Sequence, residues 1–228
     1  MKNTIDSNLF GARFDFNNHA LLFSDGIFAQ DAPCKIWWEP LKENLNCVEQ
    51  GIQLSKARLF GDKQAYAAIL DSDNANEQKE IGGSIQNMDH KVWGKVFLQH
   101  VIDLNFEKFK QNSSWRELLL ITDRFELVYS NPADTIWGIG VGQNDPLVLD
   151  KENWKGQNLL GKALMSARVK LTEELSLIET VLESPEIDET WVDIPDVESV
   201  SAEPYTGEGD EVTKEELQTF LEKTKNLV

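Results

Sequence analysis

Three polar side chains share one stripe of a predicted helix. Glu49, Gln53 and Lys56 are separated by four and three residues, and Phe60 follows four residues later, so all four face the same side. A carboxylate and an amine two turns apart could flank a bound group and exchange protons with it. The alternative is structural, with Glu49 near the positive end of a capped helix and Lys56 on a solvated face. Spacing alone leaves both interpretations open.

A second group of reactive residue types lies in residues 132–140 (PADTIWGIG). Asp134 supplies a carboxylate, Trp137 supplies a large π-surface, and the glycines add backbone freedom, which suits a site that stacks a base or a sugar. A turn aspartate beside a core tryptophan is the structural alternative. The glycines lack the GxGxxG spacing, so they do not indicate a dinucleotide-binding loop.

The sequence predicts neither a metal site nor a cofactor. Three histidines fall at no ligand spacing, and Cys34 and Cys47 have no nearby third ligand. Two cysteines are also too few for a disulfide framework. Because the start resembles no signal peptide and no run of 18 apolar residues occurs, we expect a reduced, cytoplasmic protein with no membrane partner.

The formal charge of −17 is unevenly distributed along the 228 residues. Residues 176–228 contain fifteen acidic and three basic residues, so they hold −12 of the total and the other 175 residues hold −5. Prolines interrupt the acidic stretch, which is typical of a linker. We therefore predict a domain at residues 1–182 and an acidic tail at residues 183–228, with a short helix at 213–226. The tail either contacts a basic partner or only keeps the chain in solution.

Local patterns place the polar stripe on the first of several helices. Asn46, with Glu49 three positions later, predicts the start of a helix that Gly61 ends. Later helix starts are predicted at Asp62, at Asp73 or Asn74, at Asp89, and at Ser114 in a capping box with Glu117. Residues 20–23, 36–38 and 125–129 are predicted to be strands, and a long helix follows Leu160. The predicted fold is α+β, a predominantly α-helical single domain with a few short strands.

Four segments occur in an order that resembles the NADAR family, which includes the YbiA-like N-glycosidases. They are residues 48–62 (VEQGIQLSKARLFGD), 108–112 (KFKQN), 133–140 (ADTIWGIG) and 154–165 (WKGQNLLGKALM). The resemblance covers residues 23–171 and leaves the acidic tail outside. It implies an N-glycosidase that hydrolyses a ribosyl C1′–N bond. Implied substrates are ADP-ribose-linked or related phosphorylated ribosyl compounds, either small-molecule nucleotides, NAD-derived ones included, or ADP-ribosylated nucleic-acid bases such as guanine.

The resemblance also implies which residues form the site. Matching the motifs assigns catalytic roles to Glu49, Lys56, Asp134 and Trp137. Substrate binding is assigned to Phe23, Gln30, Gln53, Arg58 and Asn158. In the resulting hypothesis the lysine is the nucleophile, the glutamate transfers a proton, the aspartate orients the ribose hydroxyls, and the tryptophan stacks on the base or the sugar.

Two other functions remain as alternatives at this stage. Tyr129 stands where the family commonly has an acidic residue, and this favours a catalytically weak module that senses ADP-ribose or NAD. The third hypothesis is a scaffold whose acidic tail docks on a basic partner.

Overall fold

Two small sheets and six α-helices form the part of the chain that the computed structural model describes, residues 4–5, 11–15, 18–123 and 125–183. The strands are β1 Thr4–Ile5, β2 Ala12–Asp15, β3 Ala20–Phe23, β4 Ile36–Trp38, β5 Glu43–Leu45 and β6 Glu126–Tyr129. The helices are α1 Val48–Leu59, α2 Lys63–Asp71, α3 Ala75–Gly83, α4 His90–Gln111, α5 Ser113–Ile121 and α6 Leu159–Glu183. This confirms the predicted α+β fold in which helices predominate.

The larger sheet brings two loops to one edge. Its strand order is β1-β2-β3-β6, and β3 and β6 are parallel, with Phe23 opposite Tyr129. The residues of β3 are completely buried, which is why an unbroken apolar run forms a strand here. Because parallel strands end at the same edge, the segment after Phe23 and the loop after Tyr129 leave the sheet side by side.

The start of α1 differs from the prediction in its capping residue. Cys47, and not Asn46, is the N-cap, and its Sγ accepts a hydrogen bond from the backbone N–H of Gln50. Asn46 is engaged elsewhere, because its side chain donates to the backbone carbonyl of Ser72. The predicted helix is therefore confirmed, and the predicted cap is wrong by one residue.

The other helix boundaries follow the local signals closely, with one exception. Asp62, Asn74 and Asp89 cap α2, α3 and α4 as predicted. The capping box at Ser114 is wrong, because α5 begins at Ser113 after Asn112. The Asn112 side chain instead donates to the carbonyls of Lys35 and Lys108, which joins the end of α4 to the segment before β4.

Helix α1 lies at the centre of the helical layer. All residues from Val48 to Ala57 are buried, and α2, α3 and α4 pack around the helix. Gly51 lets α4 approach closely, because a Cβ at this position would lie 2.6 Å from Leu104 Cδ2 and 2.7 Å from Leu45 Cδ1. The chemistry-bearing stripe thus belongs to the interior helix of the fold.

The chain divides into two units, Met1–Leu177 and Ile178–Val228. The predicted linker and the predicted helix at residues 213–226 lie outside the described residues. None of the helices in the described part is long and apolar enough to cross a bilayer.

Candidate active site

The three polar residues of the α1 stripe are buried. Glu49 is 7%, Gln53 6% and Lys56 8% exposed. The interpretation of Lys56 as a residue on a solvated face is therefore wrong, because every residue of α1 from Val48 to Ala57 is buried. Burying a carboxylate and an amine costs free energy, so their retention in the interior indicates a role beyond solubility.

Glu49 lies in the first turn of α1 and is held by two hydrogen bonds. Its backbone N–H donates to the Gln30 carbonyl at 2.8 Å, and its Oε1 accepts from Gln53 Nε2 at 2.6 Å. Burial raises the pKa of the Glu49 carboxyl, while the Gln53 hydrogen bond and the charges of Lys79 and Lys56 act in the opposite direction. A carboxyl group in this setting holds a proton more readily than a surface glutamate does.

Lys56 lies seven residues further along the same face, about 10 Å along the helix axis. Burial lowers the pKa of its ammonium, and the charge of Glu49 opposes that shift. No hydrogen bond or ion pair within the described residues uses its Nζ. A lowered pKa and the lack of an internal partner are what lysine needs to act as a nucleophile in its neutral form.

Gln53 fills the space between Glu49 and α3. A Cβ built on Gly82 would overlap the Oε1 atom of Gln53, so only a glycine leaves room for this amide. The Oε1 atom is buried and has no hydrogen-bond partner among the described residues. Gly82 therefore sets the position of the side chain that holds Glu49.

Lys108 anchors the segment beneath Glu49. Its side chain is fully buried, its Nζ donates to the Ala29 carbonyl at 2.7 Å, and the rings of Phe109 and Trp115 each lie 5.3 Å away. Burial lowers the pKa of this amine to about 8. Since Ala29 precedes Gln30, whose carbonyl receives the Glu49 N–H, Lys108 helps to fix the start of α1.

The Asp134 carboxylate shapes the turn that presents Trp137. Its Oδ1 accepts hydrogen bonds from the backbone N–H groups of Ile136 at 2.9 Å and Trp137 at 2.8 Å. The next position, 138, requires a glycine, because a Cβ there would lie 2.8 Å from the Tyr129 carbonyl oxygen. The structural interpretation of Asp134 thus holds for Oδ1, while Oδ2 makes no hydrogen bond within the described residues.

Helix packing places Trp137 towards the Lys56 end of α1. Helices α1 and α4 run antiparallel. Gly51 of α1 lies against Leu104 of α4, whereas Cys47, before Gly51, interacts electrostatically with Lys108, after Leu104. Phe97 lies seven residues before Leu104, about 10 Å along α4. Because the helices are antiparallel, this places Phe97 towards the end of α1 that carries Lys56.

The half-buried Trp137 ring meets Phe97 edge to face, with centroids 5.4 Å apart. The two predicted constellations, α1 and the 132–140 loop, therefore converge on one end of the helical layer.

Comparison with known proteins identifies the family. Residues 16–172 match the family model of the NADAR domain. The chain belongs to this family. The recognised domain contains every residue discussed above and stops before the acidic tail.

Several relatives cover most of the NADAR domain. The chain is 33% identical over 141 residues to N-glycosidase R617 of Acanthamoeba polyphaga mimivirus, spanning 58% of this chain and 83% of that protein. It is 35% identical over 127 residues to Protein irg-1 of Caenorhabditis elegans (55% and 60%), and 35% identical over 130 residues to N-glycosidase Npun_R5314 of Nostoc punctiforme (57% and 76%).

One solved structure shares the fold of the NADAR domain. The NMR structure of the Escherichia coli protein YbiA superimposes with a TM-score of 0.58 and 23% identity, covering 75% of this chain and 92% of that one. At this level of identity the likeness concerns the fold.

Other predicted site residues support the frame of the NADAR domain. Phe23 is completely buried between the rings of Phe28 and Tyr129, each 5.5 Å away. Asn158 has a positive φ of 53°, and its amide bridges the Leu127 carbonyl and the Tyr129 N–H. Both side chains contact the larger sheet or its edge. Their contact with substrate stays a prediction.

Arg58 and Gln30 differ in how they relate to the polar stripe of α1. Arg58 is exposed and donates to the Pro40 carbonyl at 2.9 Å, beyond the buried part of α1. Gln30 lies directly beneath Glu49, and its Nε2 is buried without a hydrogen-bond partner among the described residues. Gln30 is therefore joined to the start of α1 through its backbone, and Arg58 does not belong to this cluster.

Sequence reasoning missed the roles of Lys108 and Gly82. The signal for Lys108 was its place on the apolar stripe of Val101 and Leu104, where a lysine must be buried. Gly82 gave no signal in the sequence, because its contact with Gln53 joins residues far apart in the chain. In the described part of the chain no group of three or more His, Cys, Asp or Glu residues is arranged to hold a metal ion.

Proposed function

We propose that this NADAR domain is an N-glycosidase that hydrolyses the bond between C1′ of a ribose and the nitrogen of a base. The observation that carries the proposal is the buried pair of Glu49 and Lys56 on one face of α1, whose pKa values are shifted towards each other by burial. Two relatives named N-glycosidase support the same reaction class.

The first step uses both members of the pair. For a base linked through an uncharged nitrogen, neutral Lys56 Nζ attacks C1′, the C1′–N bond breaks with its electron pair going to the base, and Glu49 gives its proton to the departing nitrogen. The sugar is then bonded through C1′ to the lysine nitrogen, and the base leaves in its neutral form.

The second step releases the sugar. The attached lysine nitrogen loses a proton to the Glu49 carboxylate. Its electron pair then forms the C1′=Nζ double bond of a protonated Schiff base, the ring C1′–O4′ bond breaks, and Glu49 returns the proton to O4′. Water then adds to C1′ and the C1′–Nζ bond breaks, which regenerates the amine and leaves a free aldehyde sugar. Asp134 orients the ribose hydroxyls through Oδ2, because Oδ1 is used by its turn, and Trp137 stacks on the base or the sugar.

The proposed substrates are phosphorylated ribosyl compounds. ADP-ribose-linked molecules, among them NAD and ADP-ribosylated guanine, present a ribose C1′–N bond together with phosphates. The charges of Lys79 and Lys56 act on Glu49, together with the opposing charge of Asp31, so two cations lie near this carboxyl although the domain as a whole is acidic.

One feature favours the sensor as the second candidate. Tyr129 places a phenol at the end of β6, where its hydroxyl accepts a hydrogen bond from Asn131 Nδ2 at 3.0 Å and its ring packs on Phe23. This position therefore supplies no carboxylate. A domain with this substitution would bind an ADP-ribosyl ligand and release no base.

A substrate panel separates the two functions. The full chain is incubated with NAD, ADP-ribosylated guanosine, ADP-ribosylated DNA and aminopyrimidine ribosyl phosphates, and released base is measured by mass spectrometry. We expect release from at least one compound and a loss of at least about a hundredfold in Glu49→Gln and Lys56→Ala. The control Lys151→Ala removes a surface amine paired with Glu126 and should retain full activity. Binding without release across the panel would favour the sensor.

A further inference from the structure

Lys79 of α3 is an exposed cation next to the catalytic carboxylate. It lies one helical turn before Gly82, on the same side of α3, and Gly82 touches the Gln53 amide that is bonded to Glu49. Its charge reaches Glu49 and influences that carboxyl more than the charge of Lys56 does. Lys79 therefore faces the site from a helix other than α1.

The helix offers Lys79 no partner of opposite charge. The residues three and four positions away are Ala75, Asn76, Gly82 and Gly83, none of them acidic. Glu77 is engaged in a 2.6 Å hydrogen bond from Ser72 Oγ, and Glu80 is adjacent in sequence and so points to another side of α3. No ion pair within the described residues involves Lys79.

The surface beside Lys79 is open to a ligand. A Cβ added to Gly83 would meet no atom within 4 Å, and Gly82 contributes only backbone against Gln53. An exposed ammonium thus borders helix surface that leaves room for an anion at Gly83.

We propose that Lys79 binds a phosphate of the ribosyl substrate, so that α3 forms an anion subsite beside the sugar site on α1. The inference deepens the proposed function by naming the part of the substrate that α3 recognises. An ammonium is a compact charge with three donors, which suits a terminal or bridging phosphate at a partly exposed position.

Equilibrium binding of two sugars tests the subsite without relying on catalysis. Ribose 5-phosphate and ribose are titrated into the full native chain, Lys79→Gln and the control Lys151→Gln, which loses the same charge at a surface pair with Glu126. We expect the native chain and the control to bind ribose 5-phosphate more tightly than ribose. Lys79→Gln should lose about tenfold for the phosphate compound only, and Lys79→Arg should keep most of the preference.

Three results would overturn the inference. They are equal binding of both sugars by the native chain, unchanged binding of ribose 5-phosphate by Lys79→Gln, and an equal loss for both sugars in that variant. Because no turnover is required, these outcomes are distinct from a failure of the proposed glycosidase activity, which the base-release panel reports.

Discussion

Gln53 donates a 2.6 Å hydrogen bond to Glu49 across one turn of α1, inside the helical layer. This bond favours the ionised carboxylate, whereas burial of the carboxyl favours the protonated form. The pKa of the Glu49 carboxyl therefore depends on the Gln53 hydrogen bond as well as on burial. In the proposed mechanism Lys56 reacts as a neutral amine and Glu49 as an acid, so the reactive form carries one proton on this pair.

A one-proton reactive form predicts a bell-shaped dependence of kcat/KM on pH. The acid limb should lie above the ordinary glutamate pKa of 4.5 and the alkaline limb below the ordinary lysine pKa of 10.5, because burial shifts the two groups in those directions. Gln53→Met removes a hydrogen bond that lowers the pKa of Glu49, so the acid limb should move to higher pH while the alkaline limb stays. An acid limb that stays in place or moves to lower pH would contradict the role of Gln53.

Gly82 and Gly83 provide a matched pair of substitutions on α3. Gly82→Ala should displace the Gln53 amide and lower kcat at least about tenfold, because the new methyl group overlaps Oε1. Gly83→Ala meets no atom within 4 Å and should keep activity while adding up to about 1 kcal/mol of unfolding free energy from helix propensity. Kinetics and urea unfolding measure both effects. Equal activity in the two variants would show that Gly82 has no role in positioning Gln53.

The buried amine of Lys108 should make the free energy of unfolding depend on pH. Its pKa falls from the ordinary 10.5 to about 8 in the folded protein, so the unfolded chain binds the proton more strongly between these values. The native free energy of unfolding, measured relative to Lys108→Met, should therefore rise between about pH 8 and 10.5, by on the order of 3 kcal/mol. The relative stability is lowest below pH 8, where the buried amine must carry its charge. A constant difference across this range would contradict a buried titrating amine.

Asp134 predicts different outcomes for two substitutions. Asp134→Asn keeps an oxygen that accepts from the N–H groups of Ile136 and Trp137, so the turn and the thermal stability should be preserved. Losing the carboxylate charge should still raise KM if Oδ2 orients the ribose hydroxyls. Asp134→Ala should lower both stability and activity, since both N–H groups lose their acceptor. Native kinetics in Asp134→Asn would restrict this residue to the turn.

Much of the helical framework could be predicted because its signals are local. Asp62, Asn74 and Asp89 mark helix starts through side chains that bond to the next turn, and these predictions were confirmed. Cys47 was missed because a thiol is a weak acceptor and rarely caps a helix, whereas the neighbouring Asn46 had the expected chemistry.

The burial of the site could not be predicted from its spacing. The stripe of Glu49, Gln53 and Lys56 is polar, and only the packing of α2, α3 and α4 around α1 makes it interior. The same holds for the Gly82–Gln53 contact and for the parallel pairing of β3 with β6, which join residues far apart in the chain. Family resemblance named the residues, and tertiary packing explains their altered proton affinities.

The most direct test of the account is chemical trapping at Lys56. The full chain is mixed with a substrate that releases base and treated with borohydride, and the protein is then analysed by intact mass and peptide mapping. The account predicts a reduced sugar adduct on Lys56, and no adduct in Lys56→Arg, whose guanidinium stays protonated. Base release with no adduct in the native protein, together with full turnover by Lys56→Ala, would contradict a lysine nucleophile.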